Sequence, residues 1–267
     1  MNALSLRFRA CVSRDVRRVR ARSTRARRSR ALALATRAGD LEPDNISVLV
    51  CGGNGVAMDV FRQLTAAGTW ATVLQRKETN RKEIESVGGF LVKGDATNAR
   101  DVAKAMNQSD EYDAVVSTIG GTPADPSADS AANIALIDAA AAKGCGKFVL
   151  VTSIGVGDSR NAPPPNVYEA LKPVLIEKDK AEKHLMEVSA KTGMKYVIVR
   201  PGGLKSEPAT GTAVLTEDKR VCGAIHREDV AALVIKCILK EKANNKVLSC
   251  VDKAQLLDQP AFAPFVV

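Results

Sequence analysis

Histidine is scarce: His184 and His226 are the only two in 267 residues, and none of the six cysteines (Cys11, Cys51, Cys145, Cys222, Cys237, Cys250) stands in a C-x-x-C pair. Without clusters of that kind the sequence argues against a zinc site. Long apolar runs are missing too; none approaches the ~20 residues that a membrane-spanning helix needs. Acid is nearly absent from one end: residues 1–39 hold twelve Arg, no Lys and a single acid, Asp15. The rest of the chain carries 27 basic and 29 acidic residues, so the whole-chain charge of +9 belongs to that segment. The remaining body is slightly acidic, which speaks against nucleic acid as a partner.

Residues 1–38 are rich in Arg, Ala and Ser and lack the continuous apolar stretch of a secretory signal. This is the composition of an organelle transit peptide, and composition alone leaves plastid and mitochondrion open. Cys11 would leave with it. The other five cysteines sit mostly in apolar surroundings and read as buried thiols of a reducing compartment.

From Asn45 onward, β-branched runs alternate with helical patterns. Strands are expected at Ile46–Cys51, Trp70–Leu74, Phe90–Lys93, Ala114–Thr118, Phe148–Thr152 and Tyr196–Arg200. Between them, Val56, Val60, Phe61, Leu64 and Ala67 mark one helical face. Ala132, Leu136 and Ala139 mark a second, and Val174, Ala181, Leu185 and Val188 a third. Residues 158–165 form a polar, Pro-rich loop. Residues 202–223 read as irregular with a hairpin, before a last helix near Arg227–Lys240 and a strand near Lys246–Val251. Near-continuous apolar strands separated by helices predict an α/β fold of Rossmann type, doubly wound around a mostly parallel sheet. The expectation is one domain over residues 45–252 with a small C-terminal cap, and a tail over 253–267.

The first strand runs directly into Gly52-Gly53-Asn54-Gly55 and then a helix. Glycines at such a turn let the backbone approach a pyrophosphate, which then lies on the helix N-terminus, where free N–H groups and the dipole favour negative charge. The third glycine of the usual fingerprint is replaced by Met58, which puts close helix packing in question more than phosphate binding.

Several motifs in this order resemble the atypical short-chain dehydrogenase/reductases of the NmrA-like, NAD(P)H-binding type: V-L-V-C-G-G-N-G (48–55), V-K-G-D-A-T (92–97), V-V-S-T-I-G-G (115–121), F-V-L-V-T-S-I-G (148–155), V-I-V-R-P-G-G-L (197–204) and I-H-R-E-D-V-A (225–231). The resemblance covers about residues 45–252 and is nearest to the plant and algal chloroplast members, which favours the chloroplast stroma over the mitochondrial matrix. It implies that Gly52, Gly53, Asn54, Gly55 and Val56 cradle the phosphates and that Asp95 and Ala96 flank the adenine. Ser117, Thr118, Ile119 and Gly120 would line the ribose and phosphate side. Pro201, Gly202, Gly203 and Leu204 would border the nicotinamide.

NAD sites usually place an acid about 20 residues after the loop, whereas NADP sites offer an Arg to the extra phosphate. Here the second strand ends Leu74-Gln75-Arg76-Lys77, with Arg81 behind and no acid at its tip. Arg76 pairs well with phosphate, so NADP(H) is favoured over NAD(H).

Ordinary short-chain reductases pair a Tyr proton donor with a Lys four residues later and a Ser that steadies the substrate oxygen. Ser153 suits the Ser role. Two registers exist for the pair. Tyr168 and Lys172 have the literal spacing, while Lys180 precedes the Ala-Glu usual in the family and places Ile176 at the Tyr position. Pro173, comfortable in a first helical turn but not in a helix interior, favours Lys180. Lys180 would hold the nicotinamide ribose, with Tyr168 still able to reach substrate from a loop. His226 reads as a structural or cap residue and His184 as solvent-facing. Two functions follow. One is an NADPH-dependent oxidoreductase acting on a small, planar molecule. The other is a non-catalytic dinucleotide-binding regulator or assembly factor for chloroplast protein complexes.

Overall fold

The six apolar runs become the centre of one sheet because their side chains alternate between two separate cores. The structure, a computed structural model, describes residues 39–257 and 261–267; the expected transit peptide, residues 1–38, lies outside them. The strands are β1 (Ser47–Cys51), β2 (Trp70–Gln75), β3 (Phe90–Lys93), β4 (Ala114–Ser117), β5 (Lys147–Val151), β6 (Lys195–Pro201), β7 (Gly203–Lys205), β8 (Ala213–Thr216), β9 (Ala224–His226) and β10 (Lys246–Asp252). The helices are α1 (Val56–Ala66), α2 (Arg81–Ser86), α3 (Ala99–Met106), α4 (Ser127–Lys143), α5 (Pro165–Thr192) and α6 (Arg227–Leu239). Eight strands form the main sheet in the order β3-β2-β1-β4-β5-β6-β10-β8. Every pairing in it is parallel except β8 on β10.

Val48 and Val50 of β1, Val116 of β4 and Val149 of β5 point into a core under α1 and α6. Leu49, Val115, Phe148 and Leu150, one residue out of phase, point into the opposite core under α3, α4 and α5. A strand buried on both faces needs apolar residues at every position, which is why these runs carry no polar alternation. α1 packs beside α6 and α4 beside α5, one pair on each face. This is the doubly wound architecture that the sequence predicts.

Two expectations are corrected. The helix before β6 begins at Pro165, not after Pro173, and keeps Pro173 inside its 28 residues. Proline suits the first turn of a helix, and Pro165 fills that position. Pro173 removes one N–H from the ladder on an exposed part of the helix, where water can satisfy the carbonyl left over. The irregular stretch after β6 holds no hairpin: β7 pairs in parallel with β9, and β8 instead joins the main sheet beside β10. The described residues belong to one compact unit, Gly39–Val267. Leu41 donates to the Leu239 carbonyl at 2.7 Å, and Phe265 of the tail bridges to Leu215 on β8.

Candidate functional site

β1 lies between β2, to which the chain passes first, and β4, to which it returns on the other side. The loops leaving β1 and β4 therefore diverge and open a crevice at the carboxyl ends of the strands, where open α/β sheets hold ligands. The glycine loop lies at this crevice. Gly52 has φ 154°, and a Cβ there would collide with Thr118 Oγ1 and come within 2.8 Å of the Ala57 Cβ. Ala57, not Met58, thus makes the close helix–loop approach. Met58 turns the other way and is buried with Phe61, Val73, Ile84 and Leu91, so its size costs the loop nothing. Gly55, with φ 60°, caps α1 without any side-chain bond to the helix. Around Gly53 a Cβ would meet nothing within 4 Å. An open cradle with unclaimed first-turn N–H groups at α1 and Val56 fits a pyrophosphate.

The loop is held from the β2 side by residues that the sequence reading passed over. Gln75 Nε2 donates to the Gly53 carbonyl at 2.5 Å, and Asn80 Nδ2 donates to Asn54 Oδ1 at 2.8 Å. The signal was available: Gln75 is a polar residue ending a buried strand, and it is itself buried. Arg76, the next residue, is exposed and pairs with no carboxylate among the described residues. Arg81 is committed elsewhere, to Glu78 at 2.8 Å and Glu85 at 2.6 Å, so it does not stand behind Arg76 as expected. Asp95 closes a tight turn. The N–H and hydroxyl of Thr97 hold its carboxyl below the usual range, and the charge of Arg76 adds to them against the effect of burial. Ala96 is buried in the core beneath that turn.

At the end of β4, Ser117 is turned inward. Its hydroxyl donates to Asn133 Oδ1 of α4 at 2.6 Å, and Asn133 Nδ2 donates to the carbonyls of Ile119 and Asp129. Ser117 therefore shapes the loop rather than facing the crevice, while Thr118 and Ile119 are half-buried and Gly120 is exposed. The Gly121 N–H donates to Asp129 Oδ2 at 2.8 Å. Asp129 is fully buried, and its other oxygen lies 2.6 Å from Lys178 Nζ. A Cβ on Gly120 would stand 3.1 Å from that same ammonium.

Lys178, not Lys180, is thus the lysine that faces the crevice. Two residues along a helix turn a side chain by about 200°, and Lys180 points outward, 57% exposed and paired with Glu177. The matching turn is fixed by Glu182, one turn beyond Lys178. It accepts from Thr152 at 2.7 Å and takes both Nε and Nη2 of Arg200, all of them buried. The Tyr position four residues before Lys178 is Val174, which is buried. Ile176 is exposed. Tyr168 lies within α5, not in a loop, and Lys172 pairs with Glu169 in solvent. Ser153 is half-buried just past β5, its hydroxyl donating to the Ile154 carbonyl at 3.0 Å. Pro201 ends β6, and Gly202 runs against the Gly223 backbone so closely that a Cβ would strike its carbonyl. Gly203 and Leu204 continue exposed along β7.

This combination of glycine cradle, switch-point crevice and inward lysine is what a nicotinamide dinucleotide needs, and residues 52–241 match the NAD(P)H-binding family. The chain belongs to that family. It is 32% identical to the chloroplastic uncharacterized protein At2g34460 of Arabidopsis thaliana over 78% of this chain and 77% of the relative. It is 31% identical to the uncharacterized sugar epimerase YhfK of Bacillus subtilis over 66% of this chain and 79% of that one. Among solved structures it resembles ChuY, an anaerobillin reductase of Escherichia coli O157:H7. There the TM-score is 0.69 and the identity 28%, over 80% of this chain and all of ChuY.

A further polar cluster of this NAD(P)H-binding chain braces the C-terminal part of the fold. His226, Asp229 and Asp252 are buried together with their ligand-type atoms within 4.8 Å of one another. Their carboxylate oxygens already accept from Thr210, Gly211, Thr212, Ala254 and Gln255, which straps residues 210–212 to the start of α6. His184 bonds Asp138 across the α4–α5 pair at 2.7 Å rather than facing solvent alone. Cys51, Cys145, Cys237 and Cys250 are buried, and burial pushes the thiols of Cys145 and Cys237 up to about 12. Such thiols are poor nucleophiles. No described helix is long and apolar enough to cross a membrane.

Proposed function

We propose that this chain is an NADPH-dependent reductase of a planar, conjugated small molecule in the chloroplast stroma. The observation that carries the reading is the Lys178–Asp129 pair beside Gly120, with buried Val174 where a Tyr donor would stand one turn earlier. The cofactor, when bound, supplies a hydride. Gly52, Gly53, Asn54, Gly55 and Val56 would hold its phosphates, and Arg76 the 2′-phosphate. Lys178 would orient the nicotinamide ribose, with Asp129 keeping the ammonium in place. Thr118, Ile119, Gly120, Pro201, Gly202, Gly203 and Leu204 would complete the walls, and Ser153 would face the substrate.

A hydride delivered to an isolated ketone leaves an alkoxide that must be protonated at once, which is the task of the missing Tyr. In a conjugated acceptor the added electron pair is delocalised, and the balancing proton can come from water. Similarity to a reductase of ChuY type and to a chloroplastic plant relative supports both the reaction class and the compartment. The Arg-rich composition of residues 1–38 supports import.

The test is NADPH oxidation by the purified full chain against a flavin, a quinone, a linear tetrapyrrole, a simple ketone and a nucleotide sugar. Turnover with conjugated acceptors and none with the ketone is expected. Turnover confined to the ketone would sink the reading. Val174 also favours a second one. Tight NADPH binding without turnover on any acceptor would make the chain a dinucleotide-responsive factor for chloroplast protein complexes.

A further inference from the structure

We infer that Arg227 is a ligand of the cofactor's pyrophosphate, opposite the glycine loop; the inference rests on the dinucleotide reading of that loop. Arg227 is the first residue of α6, and its side chain lies close to Gly55. Its Cδ and Nε stand 3.0 and 3.1 Å from where a Cβ of Gly55 would be. Gly55 therefore clears a path for this arginine as well as turning the chain. Gln63 Nε2 of α1 donates to the Glu228 carbonyl at 3.0 Å and fixes the two helices at this point.

The guanidinium has few protein partners where it stands. It is half-buried, pairs with no carboxylate among the described residues, and donates through Nη1 to a neutral hydroxyl, Ser206 Oγ, at 2.6 Å. The next two residues, Glu228 and Asp229, are acids that instead receive the N–H groups of Ala209, Thr210 and Gly211. A guanidinium has five donors, so most of its capacity is free. It also sits in the first turn of a helix, the end whose dipole disfavours a cation. An anion bound between α1 and α6 would answer both, and the loop that Arg227 approaches is the one shaped for a diphosphate. The planar fork suits two phosphate oxygens at once. Arg76 and Arg227 would then divide the anion, one taking the 2′-phosphate and the other the pyrophosphate.

Calorimetric titration of the full chain separates these roles with three probes: NADPH, ADP-ribose (pyrophosphate without 2′-phosphate) and adenosine 2′-monophosphate (the reverse). Loss of a charge-assisted bond predicts that Arg227→Gln weakens NADPH and ADP-ribose binding about tenfold to a hundredfold. Affinity for adenosine 2′-monophosphate should stay the same. Arg227→Lys, which keeps the charge and loses the fork, should recover part of the affinity, and it decides the matter alone if the Gln variant does not fold. Unchanged NADPH affinity in either folded variant overturns the inference, as does an equal loss for all three probes. A wild-type chain that binds none of them removes the dinucleotide reading and this inference together; wild-type binding with unaltered variants removes the inference alone.

Discussion

Lys178 and Asp129 form a shielded ion pair at the edge of the crevice, Nζ to Oδ1 2.6 Å, with the lysine 14% and the aspartate 0% exposed. The pair joins α5 to the first turn of α4, whose Asp129 also accepts from the Gly121 N–H of the loop after β4, and it places an ammonium beside Gly120. Removing one partner of such a pair strands the other charge and costs about 3–5 kcal/mol. Lys178→Met should therefore lower both the thermal midpoint and NADPH-dependent turnover. The double variant Lys178→Met/Asp129→Asn should regain most of the stability while turnover stays down about tenfold to a hundredfold. Lys180→Met, at a solvent position, should leave turnover within twofold and the thermal midpoint unshifted. Loss of turnover in Lys180→Met with full activity in Lys178→Met would return the ribose role to Lys180.

Arg76 makes a separate prediction. It follows the buried Gln75 at the end of β2, is exposed and has no carboxylate partner among the described residues, and in the proposed NADPH site it would meet the adenosine 2′-phosphate. Arg76→Glu should weaken NADPH by about tenfold to a hundredfold. It should leave NADH equal or improved, because an acid at this point can accept from a ribose 2′-hydroxyl. Dinucleotide affinities measured for both cofactors read this out, and unaltered NADPH affinity would remove Arg76 from the site.

Much of this was legible in the sequence, and the rest failed for identifiable reasons. The strands could be read because burial on both faces leaves β1, β4 and β5 no polar position, and the glycine loop because Gly52 and Gly55 hold backbone angles that side chains resist. The sequence motif points to Lys180, whereas the lysine turned inward is Lys178. Four lysines lie between 172 and 183, and only the buried partners of Lys178 and Glu182 reveal which helical face turns inward. Pro173 misled the boundary of α5 because a proline within a helix is exceptional and its tolerance depends on exposure. Arg227 stood within a motif already noticed, but its closeness to Gly55 crosses 172 residues of chain and no local pattern carries it. A cation at a helix start was the available sign.

Arg200 predicts where the body is most easily broken. It is 4% exposed and bound to the 2%-exposed Glu182 by Nε at 3.1 Å and by Nη2 at 2.6 Å, while its Nη1 reaches Asp158. Arg200→Met leaves Glu182 buried without its counter-charge, a loss of about 3–5 kcal/mol. For a body of this size that is a fall of roughly 6–20 °C in thermal midpoint. Burial would raise the Asp158 carboxyl, but bonds from Arg200 and Lys219 outweigh it and hold the carboxyl below its usual value. Its share of stability is therefore complete above the unfolded value near 3.8 and is lost as pH falls through the folded one. Acid titration of unfolding should be shallower below about pH 4 in Arg200→Met than in wild type. Equal acid slopes would detach Asp158 from this network.

Lys147 reaches the site through α6. It begins β5 and is buried, and its ammonium donates to the carbonyls of Cys237, Ile238 and Lys240 at 2.9, 2.8 and 3.1 Å. It thereby closes the C-terminal end of the helix whose first residue is Arg227. Cations are favourable at that end of a helix, yet burial lowers this amine from its ordinary 10.5 to about 8. The sign then follows. Below pH 8 the lysine is charged in both folded and unfolded chains and adds no slope. Between about 8 and 10.5 the unfolded chain binds the extra proton, so this group makes the fold more stable as pH rises. Urea unfolding from pH 7 to 10 should show wild type gaining on Lys147→Met by at most roughly 3 kcal/mol, with no relative change below pH 7. Parallel profiles for the two chains across the alkaline range would mean that the three carbonyls hold the ammonium charged, so that burial does not govern its titration.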